Sequence, residues 1–199
     1  MHAAAQRVQE PVYHCRLRTP IGEIVLTSDG AALTGLYFEG QKHAPQVGPH
    51  WRHDDLATPF ARAREQLEAY AEGRLREFDL PLALAGTPFQ RRVWDALRGV
   101  AHGETISYAQ LAHRIGAPTA VRAVGAAVGR NPVSVIVPCH RIVGSDGSLT
   151  GYAGGLDRKR ALLELERAPR SAHGPREPRH ARASPTRAAA PGRARDGRG

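Results

Sequence analysis

The first part of the chain alternates apolar and polar positions in the way that β-strands do. The alternation predicts strands over 12–17, 22–26 and 33–38, with turns at Thr19-Pro20 and Asp29-Gly30. A loop rich in histidine, proline and glycine follows the third predicted strand. We therefore expect a short sheet at the beginning of the fold.

A helix is predicted next, from the pair Thr58-Pro59 to about Glu72. Threonine is a frequent N-terminal cap, proline suits the first helical turn, and Gly73 marks the expected end. Residues 77–84 are compatible with one further edge strand. We interpret residues 12–84 as a small α/β domain that follows a flexible N-terminus over 1–11.

From residue 87 the apolar positions recur at helical spacing instead. Thr87-Pro88 forms a second cap pair, and the helix after it carries Trp94 and one apolar face made of Phe89, Val93, Leu97 and Val100. This change of period predicts that residues 87–167 form a separate, mainly helical C-terminal domain.

Two short helices joined by a tight turn are predicted within this second domain. Ser107 is the expected cap of the first, whose apolar residues are Leu111, Ala112 and Ile115. After the turn Gly116-Ala117-Pro118, Thr119 is the expected cap of the second, which ends near Val128. Such a pair is typical of a helix-turn-helix.

The second of these helices consists mostly of small side chains around one long cation, Arg122. The small residues are Ala120, Ala123, Gly125, Ala126 and Ala127. A helix of this kind can approach DNA more closely than a bulky one. Close packing against a protein core explains the alanines equally well, so the pattern alone leaves both interpretations open.

Composition narrows the class of protein. Hydrophobic residues make up 41% of the chain, and no apolar run approaches the roughly 18 residues of a membrane span. Residues 1–10 lack the apolar core of a secretory signal. The two cysteines, Cys15 and Cys139, are too few for a disulfide scaffold, so we expect a reduced thiol and a cytoplasmic protein.

The net charge of +9 is unevenly distributed. Residues 168–199 hold eight arginines against two acidic residues and supply +6 of it, whereas residues 1–167 carry only +3. This segment is rich in Arg, Pro and Ala and contains no Leu, Ile, Val or aromatic residue, which predicts a disordered tail. Two interpretations stay open: the tail is either a basic arm that adds nonspecific affinity for DNA phosphates or a solvated appendage without a role.

The candidate chemistry lies in the apolar run 136–143, which contains Pro138-Cys139-His140-Arg141. We interpret the run as β-like, bringing Cys139 to a buried position. Cysteine attacks as the thiolate, so some partner must accept the thiol proton. Side chains of neighbouring residues diverge in extended structure, so a bridging water is a reasonable relay between Cys139 and His140.

An imidazole acting as a base is usually oriented by a carboxylate. Glu164 and Glu166, on a helix that begins near Leu156, are the candidates. A lone Cys-His pair is also compatible with a structural role, because free cysteine is often a small buried apolar residue.

The surroundings of Cys139 decide between these interpretations, because an ordered series of motifs spans about 87–166. The series comprises Phe89-Gln90, Val93-Trp94, Gly103-Glu104-Thr105-Ile106-Ser107-Tyr108, Arg122-Ala123-Val124-Gly125, Asn131-Pro132, Pro138-Cys139-His140-Arg141, Gly151-Tyr152 and Gly154-Gly155-Leu156. This series resembles the methylated-DNA–protein-cysteine methyltransferase family. Residues 12–80 resemble the variable N-terminal domain of that family in outline.

The resemblance implies a role for each catalytic candidate. Cys139 is implied as the acceptor of an alkyl group from O6-alkylguanine or O4-alkylthymine, with His140 as its water-mediated base. Glu166 is implied to polarise His140, and Asn131 to brace the turn before the active-site segment. Tyr108 is implied to hydrogen-bond the extruded base and to help neutralise the departing guanine.

The resemblance also implies the DNA-binding and pocket residues. Arg122 is implied to enter the space left by the extruded nucleotide, and the minor groove is implied to be contacted by Ser107, Thr119, Ala120, Ala123, Ala126 and Ala127. The implied base pocket consists of Val128, Ser134, Ile142, Tyr152, Ala153 and Lys159. Two positions depart from some relatives: Ala153 stands where they have serine, and Ser134 where they have proline.

The implied fold is α+β, with an RNase H-like N-terminal domain and a winged-helix-like C-terminal domain. The implied partner is double-stranded DNA, bound by a monomer that works once and needs no cofactor. No zinc site is predicted, because five candidate ligands (His14, Cys15, His43, His50 and His53) lack close metal-ligand spacing.

Two other functions remain as alternatives. A noncatalytic DNA-damage binder of the alkyltransferase-like class shares the helix-turn-helix, but it lacks the acceptor cysteine that Cys139 supplies. A cysteine hydrolase needs an oxyanion hole, and Pro138 removes one candidate backbone donor. Both alternatives fit the sequence less well than an alkyltransferase does.

Overall fold

A computed structural model describes residues 12–168 of this protein. The predicted flexible N-terminus over 1–11 and the predicted disordered tail over 168–199 lie outside these residues, apart from Ala168. Within the described range, no helix is long and apolar enough to cross a membrane.

Four strands form the N-terminal sheet, in the order β3-β2-β1-β4. The strands are β1 (Val12–Thr19), β2 (Gly22–Ser28), β3 (Leu33–Phe38) and β4 (Trp51–His53). β1, β2 and β3 pair antiparallel, which confirms the three predicted strands. β4 pairs parallel with β1 and was not predicted, because its three residues lie in a segment whose composition is typical of a loop.

Helix α1 (Thr58–Ala71) covers one face of the sheet with a stripe of buried residues, Phe60, Ala63, Leu67 and Tyr70. Their spacing of three and four places them on one side of a helix. The prediction of Thr58 as the cap is wrong: Ala57 is the N-cap, and no side chain caps this end. The threonine instead begins the helix one residue before its proline.

The strand predicted over 77–84 is also wrong. Only an isolated parallel bridge between Leu33 and Leu82 forms there, supported by hydrogen bonds of 2.9 Å between Leu33 and the backbone of Pro81 and Ala83. A proline in the middle of the segment removes one donor from any longer ladder.

The C-terminal part consists of four helices and a two-stranded parallel sheet. The helices are α2 (Pro88–Arg98), α3 (Tyr108–Arg114), α4 (Val121–Val128) and α5 (Leu156–Arg167), and the strands are β5 (Ile106–Ser107) and β6 (Ile142–Val143). Together the two parts confirm the predicted α+β class.

The starts of α2 and α3 were predicted from their caps. Thr87 with Gln90, and Ser107 with Gln110, form reciprocal capping boxes. The cap predicted at Thr119 is wrong, because Ala120 is the N-cap of α4 and makes no side-chain bond. Helices α3 and α4 are joined by the predicted turn, in which Gly116 has a φ of 69° that favours glycine.

The two parts meet along β3, which is an edge strand of the sheet. Leu36 donates to the backbone oxygen of Pro132 at 2.8 Å and accepts from the backbone N–H of Ser134 at 3.0 Å. The segment that leads to Cys139 therefore adds to the open edge of the N-terminal sheet. This contact fixes the position of the segment relative to both parts.

Candidate active site

Cys139 begins a short 3-10 helix (Cys139–Arg141) and is only 4% exposed. The β-like run predicted over 136–143 forms a strand only at its end, Ile142–Val143. Residues 134–136 form a turn instead, and Val135 has a φ of 71°. A positive φ is strained for a β-branched residue, so surrounding contacts must hold this turn in place.

Asn131 supplies those contacts. Its Nδ2 donates to the backbone oxygen of Val137 at 2.7 Å, and its Oδ1 accepts from the backbone N–H of Val133 at 3.0 Å. The same Nδ2 lies 3.1 Å from Sγ of Cys139. One buried amide therefore holds both ends of the turn and also touches the sulfur.

The environment of Cys139 keeps its thiol protonated at rest. Burial raises the pKa of Cys139, and the hydrogen bond from Asn131 and the charge of Lys159 oppose this only in part. A thiolate at neutral pH therefore requires a base that acts during the reaction.

His140 is fully buried and is anchored through one ring nitrogen. Its Nε2 lies 2.9 Å from Oε1 of Glu166, whereas its Nδ1 is buried and has no hydrogen-bond partner within residues 12–168. Burial lowers the pKa of His140, and Glu166 opposes that effect. An ionised Glu166 can only accept, so Nε2 carries the proton and Nδ1 presents a lone pair.

Glu166 is the carboxylate that reaches His140, and Glu164, the other candidate, is exposed. Burial alone raises the pKa of Glu166, but hydrogen bonds from His140 and Arg141 hold it well below its usual range. The carboxylate is therefore ionised at neutral pH.

Sequence reasoning missed three partners of Glu166. Arg141 donates to it from Nε at 2.9 Å and from Nη2 at 2.8 Å, Tyr70 from its hydroxyl at 2.8 Å, and Gly103 from its backbone N–H at 3.0 Å. An arginine within an apolar run was the one available signal for a buried ion pair. Tyr70 is 96 residues away from Glu166, and no local pattern indicates it.

Lys159 lies behind the site as a fully buried side chain. Its Nζ donates to the backbone oxygens of Ile142 at 2.5 Å and Thr150 at 2.7 Å. Burial lowers the pKa of Lys159 to about 8. The ammonium group therefore ties β6 to the loop before Gly151.

A cleft of about 590 Å³ opens between that loop, α3, α4 and the loop after β3. Tyr108, Tyr152 and Ala153 line it, together with Lys42 and His43. The hydroxyl of Tyr108 donates to the backbone oxygen of Gly151 at 3.2 Å. Burial raises the pKa of Tyr108, so this hydroxyl keeps its proton.

The other residues expected in the base pocket lie outside the lining of this cleft. Val128, Ser134, Ile142 and Lys159 are all buried. Ser134 donates its hydroxyl to Oε1 of Gln41 at 3.0 Å, a contact with the loop after β3. These four residues therefore support the cleft from behind in this conformation.

Most of the residues expected to touch DNA lie on an accessible face. Arg122, Ala123, Ala126 and Thr119 are exposed, and Ala120 and Ser107 are half-buried. Ala127 differs from the expectation: it is 3% exposed, and its backbone oxygen accepts a 2.9 Å hydrogen bond from Nε1 of Trp94. Helical geometry turns this position toward α2, so Ala127 belongs to the core.

No group of three or more histidine, cysteine or acidic residues in the range 12–168 is arranged to hold a metal ion. His14 instead packs against the rings of Trp51 and His53, at centroid distances of 5.8 and 5.4 Å. Cys15 is buried in the sheet, where burial raises its pKa to about 12.

Family models match nearly all of the described chain. The ribonuclease-like domain of 6-O-methylguanine DNA methyltransferase matches residues 12–84, and the DNA-binding domain of the same family matches residues 88–168.

Individual relatives give the same result. The Mycobacterium tuberculosis methylated-DNA–protein-cysteine methyltransferase is 50% identical over 157 residues, covering 79% of this chain and 93% of that protein. The Haemophilus influenzae protein of the same name is 45% identical over 159 residues, covering 79% and 88%. The crystal structure of M. tuberculosis OGT in complex with DNA is 48% identical, covers 79% of this chain and 92% of that one, and has a TM-score of 0.70. The chain therefore belongs to the methylated-DNA–protein-cysteine methyltransferase family.

Proposed function

We propose that this protein repairs DNA by moving an alkyl group from O6 of guanine onto Sγ of Cys139. One observation carries the proposal. The buried thiol is followed by His140, which is anchored to Glu166 through Nε2 and leaves Nδ1 without a partner in the described range. Such a thiol is inert until a base removes its proton inside a closed site.

The transfer balances with these groups alone. The Cys139 proton passes through a bridging water to Nδ1 of His140, and Glu166 stabilises the imidazolium that forms. Sγ then bonds to the alkyl carbon as the bond from that carbon to O6 breaks. The electron pair leaves with the guanine, whose negative charge the Tyr108 hydroxyl at the cleft is proposed to help neutralise by donating a hydrogen bond. The released guanine anion then takes up a proton from water.

Asn131 has two proposed tasks in this step. Its Nδ2 hydrogen bond favours the thiolate over the thiol, because a hydrogen bond to the charged form stabilises that form. Its bonds to Val133 and Val137 keep the sulfur aimed in one direction. Preorganisation of this kind reduces the rearrangement that the attack requires.

The alkyl carbon lies inside a duplex, so the nucleotide must leave the stack before Cys139 can reach it. Extrusion costs a few kcal/mol, and Arg122 is proposed to fill the gap and offset part of that cost. The small exposed residues around it, Ala123 and Ala126 with Thr119, allow α4 to enter the narrow minor groove. Ser107 and Ala120 are proposed to lie at the margin of this surface.

The cleft beside Tyr108 is the proposed entrance for the extruded base, with Tyr152 and Ala153 as its walls. Four buried residues beneath the cleft lining are proposed to set its shape: Val128, Ser134, Ile142 and Lys159. O4-alkylthymine presents the same reacting carbon–oxygen bond and is proposed as a second substrate.

The product is a thioether, which has no ionisable sulfur and cannot return the alkyl group. Each molecule therefore works once. We propose that it acts as a monomer in the cytoplasm, with 12–84 and 87–167 as its two domains, because one chain supplies every group named above and the substrate is DNA.

The test uses a duplex that carries a single O6-methylguanine, with the lesion measured by chromatography of the digested nucleosides. Wild type and Cys15→Ala should each remove one lesion per molecule, and Cys139→Ser should remove none. Removal by Cys139→Ser contradicts the proposal. Tight binding without removal by wild type favours a damage-binding protein, and many lesions per molecule favour a hydrolytic enzyme.

A further inference from the structure

One hydrogen bond to the catalytic carboxylate comes from the opposite domain. The Tyr70 hydroxyl donates to Oε1 of Glu166 at 2.8 Å, and Tyr70 lies on α1, which belongs to the N-terminal part. Among the described residues, the other donors to Glu166 are Gly103, His140 and Arg141, all from the C-terminal part. We propose that Tyr70 is a positioning residue for the alkyl transfer and tunes His140 through Glu166.

Tyr70 and His140 contact the same oxygen of Glu166, Oε1. Oε1 of Glu166 lies 2.9 Å from Nε2 of His140, and it also accepts a hydrogen bond from Nη2 of Arg141. A hydrogen bond to a carboxylate oxygen spreads its negative charge. The Tyr70 hydroxyl therefore competes with His140 for Oε1 and weakens the support that Glu166 gives to an imidazolium.

The hydroxyl is held as a permanent donor. Tyr70 is fully buried, and burial together with the charge of Glu166 raises its pKa far above the working range. Its ring also packs against Phe78, at a centroid distance of 5.3 Å, and His102, at 6.0 Å. The 2.8 Å hydrogen bond itself fixes the direction of the hydroxyl toward Glu166.

Other charged groups also face His140 and Glu166, and all of them stay in place when Tyr70 is changed. Arg141 and Lys159 lower the pKa of His140, and His102 faces Glu166 beside the Tyr70 ring. Replacing Tyr70 by Phe removes only the hydroxyl. Any change in the titration of His140 then reports this one hydrogen bond.

The inference rests on the proposed function, because it concerns the base for Cys139. The experiment measures the rate of transfer from O6-benzylguanine, a free base, across a pH series in the full chain. A free base removes DNA binding from the measurement. The rate should fall on the acid side as His140 becomes protonated.

Tyr70→Phe should raise the pH at which the transfer rate is half its maximum by about half a unit or more, because Glu166 then stabilises the imidazolium more strongly. At a pH well below that midpoint, the rate of the variant should be about threefold lower than the wild-type rate, because about threefold less His140 is then unprotonated. The matched control is Phe78→Leu, which loosens the packing of the Tyr70 ring and keeps the hydroxyl. It should lower the melting temperature and leave the pH profile in place.

The outcomes separate the inference from the function on which it rests. If wild type transfers the benzyl group and the Tyr70→Phe profile overlays it or moves downward, the positioning role is refuted and the alkyltransferase stands. If wild type transfers neither this benzyl group nor the methyl group of an O6-methylguanine duplex, the proposed function itself fails. A shift of equal size in Phe78→Leu would show that packing controls the profile, and would also overturn the inference.

Discussion

Nε2 of His140 lies 2.9 Å from Oε1 of Glu166 in the interior of the protein. Nε2 anchors the ring, and Nδ1, which has no hydrogen-bond partner within residues 12–168, is the proposed acceptor of the Cys139 proton. Because Glu166 also binds the guanidinium of Arg141, one carboxylate supports both the proposed base and a structural ion pair.

Glu166→Gln should damage both stability and activity. The amide keeps the shape of the side chain but leaves Arg141 buried without a counter-charge, a loss of about 3–5 kcal/mol of unfolding free energy. Alkyl transfer should also slow, because the imidazolium loses its stabilising charge. Denaturant unfolding and the single-turnover transfer rate measure the two effects.

The control for this variant lies two residues away on the same helix. Glu164 is exposed, so Glu164→Gln should change neither the unfolding free energy nor the transfer rate. Equal effects of the two substitutions would mean that the Glu166 contacts have no special role.

Stability should fall with acid in two windows. His140 has a pKa below its ordinary 6.5, so the unfolded chain takes up a proton below about pH 6.5 that the folded chain excludes. Glu166 has a depressed pKa, so its contribution is complete above about 4.5 and is lost as the pH falls further. Each proton contributes a slope of up to about 1.4 kcal/mol per pH unit.

Two other histidines shift in the same direction and provide the control. His14 and His102 have pKa values lowered mainly by burial, but both are less buried than His140. A His14→Gln/His102→Gln double variant should keep most of the slope between pH 6.5 and 5. An unfolding free energy that is constant from pH 7 to 5 would contradict the assignment.

Asn131 should tolerate neither removal nor ionisation. Asn131→Ala leaves the Val133 N–H and the Val137 oxygen without their partner, at a cost of about 1–3 kcal/mol for each buried group. Asn131→Asp keeps the size but places a carboxylate beside Sγ of Cys139, which disfavours the thiolate. The aspartate variant should therefore lose more transfer rate than stability, measured by single-turnover kinetics and urea unfolding. The reverse order would show that Asn131 acts through the fold alone.

Arg122 should matter for duplex DNA and not for the chemistry. Arg122→Ala should slow repair of an O6-methylguanine duplex by about tenfold, equivalent to about 1.4 kcal/mol of lost compensation for extrusion. Its reaction with free O6-benzylguanine should stay close to wild type. Arg130→Ala, which removes another exposed arginine just beyond α4, is the matched control and should affect both reactions little. Equal losses of Arg122→Ala on both substrates would refute the insertion role.

The sequence predicted the elements whose formation depends on neighbouring residues, namely the first three strands and the starts of two helices. The strands of the β1–β3 meander follow from alternation, and the starts of α2 and α3 follow from Thr87 and Ser107, whose side chains close capping boxes. The same reasoning failed at Thr58, which is the first residue inside α1, and at Thr119, which lies one residue before the N-cap Ala120 of α4.

The sequence indicated the main residues of the candidate site, but it did not indicate all of their hydrogen-bond partners. His140 meets Glu166, and Asn131 touches Cys139, as expected from the family resemblance, but Arg141 and Tyr70 were missed. The partner of Tyr70 lies in the other half of the chain, and such a contact depends on how two domains dock. The turn at Val135 was missed for a related reason: Asn131 and β3 hold a backbone conformation that valine alone disfavours.

Alkyl transfer to Cys139 is tested most directly by the intact mass of the protein after incubation with an excess of an O6-methylguanine duplex, followed by peptide mapping. We expect a gain of one methylene that stops at one per molecule and maps to Cys139, with Cys15 unmodified. An unchanged mass, a modification elsewhere in the chain, or a methyl group lost again on standing would contradict it.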